Sequence, residues 1–549
     1  DDISINALKW RSVGPALTSG RISDIAVNKN KPFEYYVAVA SGGVWKTSNW
    51  GLEYIPVFDN ENSYSIGCVT IDPKNENIIW VGTGENNNQR SVAYGDGIYK
   101  SIDGGKSWEN MGLKESEHIG NIIVDPTNSD VVYVSAYGPL WSKGGERGVY
   151  KSMDGGKTWS RSLYVDEHTG INEIHMDPED SRVLYATAHQ RRRHVYTYVG
   201  GGPGSSMYKS TDSGLSWKKI NKGLPSVELG RIGMDISPVD NNILYAIVEA
   251  ADRKGGFYMS DDMGESWTKQ SSKVTSGNYY QEIFADPIDL GTVYIMDTWM
   301  SVTKDGGKTF NNVGEDFKHV DNHSMWINPS NNNHWLIGCD GGIYETFDAA
   351  KNWDFKKNLP ITQFYKVALD TDVPFYNIYG GTQDNFTIGG PSRVNTSHGI
   401  TNQDWFITHG GDGCSRRIVD FDRDRAIELG AQAEKEASNA SDKNHSRIEE
   451  ARVIAEEMPE VPDALPAPKS LGGLLDHMAD EEEVEEEEQG ETSEEDDEIK
   501  FASLRSKNIK RLKKNKIKVF LGHDRTNIKL SLIHISEPTR LLSISYAVF

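Results

Sequence analysis

Residues 98–108 read IYKSIDGGKSW and residues 149–159 read VYKSMDGGKTW, two copies of one unit. Their shared core is Ser/Thr-x-Asp-x-Gly-x-x-aromatic. It returns at 210–217 (STDSGLSW), 260–267 (SDDMGESW), 303–310 (TKDGGKTF) and 346–353 (TFDAAKNW). A degenerate first copy, TSNWGLEY at 47–54, carries Asn49 in the Asp position. The other copies place Asp103, Asp154, Asp212, Asp262, Asp305 and Asp348 there. A short carboxylate accepts hydrogen bonds from the amides just ahead of it and closes a tight turn. Gly takes the positive-φ position at little steric cost. The aromatic residue opens the next strand and packs between neighbouring sheets. Steps of 43 to 58 residues between the key positions fit one four-stranded sheet per repeat. These carboxylates read as structural, not catalytic.

A second mark falls between the boxes. Asp72-Pro73, Asp125-Pro126, Asp177-Pro178, Ser237-Pro238, Asp286-Pro287 and Asn328-Pro329 each introduce a short β-branched run such as IIWVGTG or VVYVSA. Each reads as a turn leading into a strand. Stretches such as GVWKT, GIYKS and GVYKS read as the strand that enters the box. One unit is then strand A, the Pro turn, strand B, a variable loop, strand C, the box and strand D. The expected fold is all-β, a β-propeller of about seven four-stranded blades over 1–360. Residues 361–423 (FYKVALD, then NIYGGTQDN, with no box) are expected to form an extra blade or to start a second propeller.

Antiparallel alternation sorts the connections. The A–B turns and the boxes share one face; the B–C loops and the D-to-A crossovers share the other. The irregular loops therefore gather at one end of the central channel, where a rigid scaffold usually carries its binding residues. They bring Glu85, Arg90, His189, Arg191, Arg192, Trp299 and Asp340 from B–C loops, with Asp297 beside Trp299. Tyr280, Glu282, His319, Asp321 and His323 come from crossovers. Carboxylates Glu85, Glu282, Asp297, Asp321 and Asp340 are the candidates for acid–base chemistry on a glycosidic bond. Arg90, His189, Arg191, Arg192, Tyr280, Trp299, His319 and His323 are the candidate ligand-binding set. His319, Asp321 and His323 lie in a loop without helical ligand spacing, so no metal and no cofactor is assigned.

Composition narrows the partners. Net charge is −23, and 480–498 alone holds 14 acidic residues. A negative body repels phosphate, which argues against nucleic acid. The basic run at 505–518 reads as a solvated flank of the acidic stretch. Cys68, Cys339 and Cys414 show no metal-ligand spacing. No apolar run of about 18 residues is present to span a bilayer. The chain starts at Asp1 with no signal-like stretch, which fits either a processed secreted protein or a fragment.

The boxes and Pro turns resemble those of sortilin ectodomains and of xyloglucanase-type glycoside hydrolases (family 74). Phrases such as AHQRRRHVYTYVGGGPGS, KHVDNHSMWINP, GGTQDN and HGGDG most resemble uncharacterised bacterial secreted proteins of the sortilin-like or glycosyl-hydrolase-like kind, across 9–413. The resemblance implies an extracytoplasmic propeller that recognises peptide or glycan, or else a glycoside hydrolase. Xyloglucanases resemble one another in an aspartate two residues before a Gly-Gly in the first blade; here Ala40 holds that place before Gly42-Gly43. Sialidases open on Arg-Ile-Pro, of which Arg21-Ile22-Ser23 is a partial echo.

Beyond the repeats the composition changes. Residues 424–529 turn Ala/Glu-rich and helical, then Pro-rich, then acidic and disordered in character, and read as a segment joined by misassembly. Residues 530–540, LSLIHISEPTR, match the translation of a transposon-end sequencing adapter, and ISYAVF at 544–549 matches that of a flow-cell primer. The stretch 530–549 is therefore excluded from fold reasoning.

Overall fold

The computed structural model describes residues 11–280 and 282–413, with two strand pairs at 520–521 and 530–531. Apart from those pairs, which bond to each other antiparallel, the helical, acidic and adapter-derived readings fall outside the described residues.

The protein is an all-β propeller. Seven consecutive four-stranded antiparallel sheets occupy 22–56, 66–110, 119–163, 169–219, 229–271, 283–312 and 322–355, here called blades 1 to 7. The first strand of blade 1, Ile22–Val27, packs against Asn322–Ile327 and Trp335–Cys339 of blade 7. Ile22, Ile25 and Tyr35 share a core with Leu336, Ile343 and Leu359, so the ring closes at seven. An eighth four-stranded sheet, 364–409, follows outside the ring.

The boxes do the work their residues suggest. Asp103 Oδ1 accepts from the amides of Lys106 and Ser107, each at 2.9 Å, and Oδ2 accepts from the Ser107 hydroxyl at 2.6 Å. These donors, the Ser107 hydroxyl first, pull its carboxyl down to about 2. Each box also bonds to the A–B turn of its own blade. Gly104 N–H meets Asn77 O, Gly155 N–H meets Asp130 O, and blades 4 to 7 repeat the contact. Boxes and Pro turns therefore lie on one face, and the irregular loops on the other.

The box tryptophan ties each blade to the one before it. Trp108, Trp159, Trp267 and Trp353 donate their indole N–H to backbone carbonyls of Val57, Met111, Ile220 and Gly314. Trp217 donates to the Ser162 hydroxyl. Trp267 is also buried in the core between blades 4 and 5, and removing such a ring from water is worth roughly 2–3 kcal/mol. Blade 6 substitutes Phe310, which packs edge-on against Phe257 of blade 5 at 5.3 Å.

Around the channel, polar side chains of the innermost strands stitch blade to blade. Asp24 accepts from Val69 N–H at 2.9 Å, Asn121 from Ile174 N–H at 2.9 Å, Glu173 from Met234 N–H at 3.0 Å, and Asp235 from Ala285 N–H at 2.8 Å. These inner strands carry β-bulges, which turn one side chain of each toward the neighbouring blade. The ring seam between blades 7 and 1 lacks the box-indole hydrogen bond, since Tyr54 stands in the Trp position and bonds Tyr35 instead. There the fastening comes from elsewhere. Asn358 Nδ2 donates to Gly51 O and Leu52 O, and Ser19 Oγ to Leu359 O. The segment 11–20 is in turn held by the eighth sheet: Asn402 Oδ1 accepts from Ala16 N–H at 2.8 Å, and Trp405 Nε1 donates to Val13 O at 3.0 Å.

Candidate functional site

At the loop-rich mouth of the channel the ionisable residues meet one another. Arg21, at the entry to the first inner strand, sits between two carboxylates. Its Nη1 donates to Glu85 at 2.7 Å, while Nε and Nη2 fork onto Asp340 at 2.8 and 3.2 Å. His323 Nε2 meets Asp340 at 2.7 Å, and the Tyr279 hydroxyl donates to it at 2.5 Å. Asn87 Nδ2 donates to Glu85 at 2.5 Å. Burial pushes the Asp340 carboxyl up, but Arg21 and His323 overcome it and hold Asp340 well below the usual carboxylate range. Tyr280 stacks on His323 and donates to Asp321, which sits at φ 64°. His118 donates Nδ1–H to the Glu85 carbonyl; burial and the nearby Arg191 hold it neutral.

The eighth sheet reaches this mouth. Asn385 Nδ2 donates to Asp340 O at 3.0 Å. The Asp384 carboxyl lies against that of Asp340, and burial followed by this charge raises it to about 7. Two close carboxylates cannot both ionise cheaply, and this repulsion adds to burial in holding Asp384 above the usual carboxylate range.

The arginine-rich loop serves as a staple. Arg191, fully buried and stacked 3.2 Å over the Tyr137 ring, donates to Asn87 O, Asn88 Oδ1 and Gly138 O. Arg193 donates to Asn88 O and Asn278 Oδ1, both at 2.7 Å. Arg147 donates to Tyr137 O, Ser142 O and Gly144 O. Three guanidinium groups thus pin the loops of blades 2 to 5 through carbonyl and amide oxygens. Arg192 keeps Nε and Nη1 unpartnered, and Arg90 is exposed. His189 accepts from Tyr137 and donates to Gly200 O, and burial drives its pKa down to about 3.

The remaining candidates separate. Glu282 lies deeper, 3.2 Å from Arg231, and burial raises it to about 8. Asp297 pairs with Lys273 at 3.5 Å. His319 turns to Val320 O at 2.7 Å. Trp299 stands in solvent. Among the described residues no three His, Cys, Asp or Glu side chains converge as metal ligands. Ala40 is buried in the B–C turn of blade 1, its N–H on Arg21 O at 3.0 Å.

Arg21, Tyr279 and Asp384 were not among the sequence-derived site residues. One signal for Arg21 was available: an Arg-Ile pair falls near the start of the inner strand both at 21–22 and at 231–232, and both arginines turn to carboxylates in the ring. Asp384 has no such signal, because its partner is 44 positions away across a sheet boundary.

The comparisons agree with this architecture. The family model described as "Sortilin, neurotensin receptor 3" matches residues 147–290. A xyloglucanase of Paenibacillus sp is 22% identical over 432 residues, covering 65% of this chain and 40% of that protein. A xyloglucanase of Hypocrea jecorina is 21% identical over 439 residues, covering 65% and 50%. The chain thus spans half or less of the length of these relatives. The solved xyloglucanase of family 74 from Xanthomonas campestris superposes with a TM-score of 0.51 at 16% identity, over 68% of this chain and 59% of that one. This chain is a β-propeller like those of sortilin and the family 74 xyloglucanases. Among the described residues no helix is long and apolar enough to cross a membrane.

Proposed function

We propose that this chain is an extracytoplasmic recognition propeller that binds a peptide or glycan ligand on its loop-rich face. The observation that carries the reading is a division of labour on that face. The Arg21, Glu85, His323 and Asp340 cluster is buried and internally paired, whereas Tyr94, Tyr196, Trp299 and Phe317, all on loops of that face, are 74, 83, 55 and 100% exposed. Exposed aromatic rings on a rigid scaffold offer contact area at low entropic cost, to sugar faces and to peptide side chains alike. The sortilin match supports a peptide ligand and the xyloglucanase relatives a glycan.

A hydrolase is the second reading, favoured by Asp384, whose raised carboxyl suits a general acid. Against it, Asp384 lies directly against Asp340, closer than the roughly 5–5.5 Å between the carboxyls of a retaining glycosidase, and Ala40 supplies no carboxylate.

The test sets the full chain against a xyloglucan-containing glycan array and a peptide library, beside a glycosidase panel. Saturable binding weakened at least about tenfold in Trp299→Ala or Tyr94→Ala is expected, with no reducing-sugar release. Sugar release abolished by Asp384→Asn would replace recognition with hydrolysis. Binding indifferent to both aromatic substitutions would remove the loop-rich face from the account.

A further inference from the structure

On the face of the boxes, opposite the loop-rich one, three departures from the repeat meet at one place. The residue after the box's first Ser or Thr is not aromatic in blades 1 to 6; in blade 7 it is Phe347. The residue after the box Asp or Asn lies in the left-handed region in all seven blades, and Gly104, Gly155 and Gly306 fill it in three. Blade 1 puts Trp50 there, at φ 61°. A bulky aromatic in that region is an outlier, and strain of this kind collects where a side chain is needed for something besides the turn. The Pro turns closing onto Ile78, Val183 and Ile243 have an aliphatic residue in their last position, where blade 7 has His334.

The three departures join across the seam between blades 7 and 1. Phe347 stacks on the His334 imidazole at 4.4 Å and 15°, and Trp50 lies 5.8 Å from the same ring. His334 is buried, and both its nitrogens are committed. Nδ1 accepts from Asn328 Nδ2 at 3.1 Å, and Nε2 donates to Glu345 at 2.7 Å. The imidazole is thus a fixed floor. The rings resting on it stay in solvent, Phe347 61% and Trp50 40% exposed, beside Leu52 at 81%. Side chains kept only to fasten the seam would gain by burying that surface.

The surroundings select the ligand. Glu345 is matched by His334 and Lys356, and Asp348 is spent on its own turn. The exposed Glu53 and Lys351 are of opposite sign, so neither charge is favoured. Ser330, Asn331 and Asn333, exposed in the adjoining turn, offer hydroxyl and amide groups. Rings of this size cover about 150–250 Å² each, so the exposed parts of the two amount to roughly 200 Å². Even with Leu52 added, the patch is about half or less of the roughly 800 Å² that a stable protein partner covers. A neutral pyranoside with every substituent equatorial suits it better. Both faces of such a sugar carry only C–H groups and lie flat on a ring, while its edge carries hydroxyls for the amides.

We propose that the face of the boxes binds a neutral β-linked glucan chain at this seam, Phe347 and Trp50 stacking on its sugars. The site is separate from the loop-rich face and shares no residue with it.

Isothermal titration of the full chain with cellohexaose, beside hexaproline as a peptide probe, reads it directly. Saturable binding of cellohexaose that survives Trp299→Ala is expected, which tells this site from any sugar held by the loop-rich face. Phe347→Ala should weaken it about five- to tenfold, the worth of one stacked ring, and Phe347→Trp should restore it. Trp50→Gly, which suits the left-handed backbone, should weaken it about fivefold. Should one of these variants fail to fold, the other decides. No saturation, tighter binding of hexaproline, or affinity unchanged in the folded variants would overturn the proposal. So would a dimer in sedimentation that Phe347→Ala abolishes, since a second copy would then be the occupant.

Discussion

Replacing Arg21 by Met tests whether the ionic cluster at the channel mouth is structural. Arg21, Asp340 and Glu85 have side chains only 3, 2 and 3% exposed. Three hydrogen bonds, at 2.7, 2.8 and 3.2 Å, join them. Met fills much of the volume of the aliphatic stem, so little cavity is created and the change isolates the charge. It strands two buried carboxylates that only the uncharged donors and His323 still reach. Removing one partner of a buried ion pair costs about 3–5 kcal/mol. The loss should appear in urea unfolding followed by tryptophan fluorescence, as a lower midpoint with an unchanged slope. Its pH dependence has a definite sign. In the parent protein Asp340 is held below its ordinary value, so its contribution is complete above that value and is lost as pH falls. Without Arg21 the carboxyl rises and protonates readily on acidification. The gap between variant and parent should therefore narrow toward about pH 4. A loss below about 1 kcal/mol, the range of an exposed pair, or a gap that widens in acid would refute the reasoning.

Other expectations follow from the same coordinates. Trp267→Ala removes a buried ring and its indole bond to Ile220 O, and should cost about 3–5 kcal/mol in the same assay. Burial raises Glu282 to about 8 from 4.5, so the stability it gives is complete in acid and is lost as pH climbs between those values. Glu282→Gln should flatten that decline. Gly84, at φ +80°, would place a Cβ 1.7 Å from Glu117 O. Gly84→Ala should cost at least ~3 kcal/mol, measured as a fall in the thermal midpoint.

The fold was readable because the box states its own local chemistry: Asp103 needs only residues 101–107 to close its turn. The sharing of faces followed from strand alternation alone. The site was readable only as a neighbourhood. Glu85, Asp340 and His323 were placed near the mouth, yet their partner Arg21 is 319 positions from Asp340. Only closure of the ring brings these two together. Arg191 was expected among the ligand-binding residues because the backbone carbonyls that hold it leave no trace in side-chain identity.

The seam between blades 7 and 1 sets a limit on how the ring can be cut. No strand crosses it, no box indole donates a hydrogen bond across it among the described residues, and the segment that overlies it is gripped by Asn402 and Trp405 of the eighth sheet. A fragment ending at residue 360 would keep every blade and lose the latch. The smallest durable unit is therefore longer than the ring itself. In a shortened chain, the first bond to open under heat or pulling would be the join between its two ends.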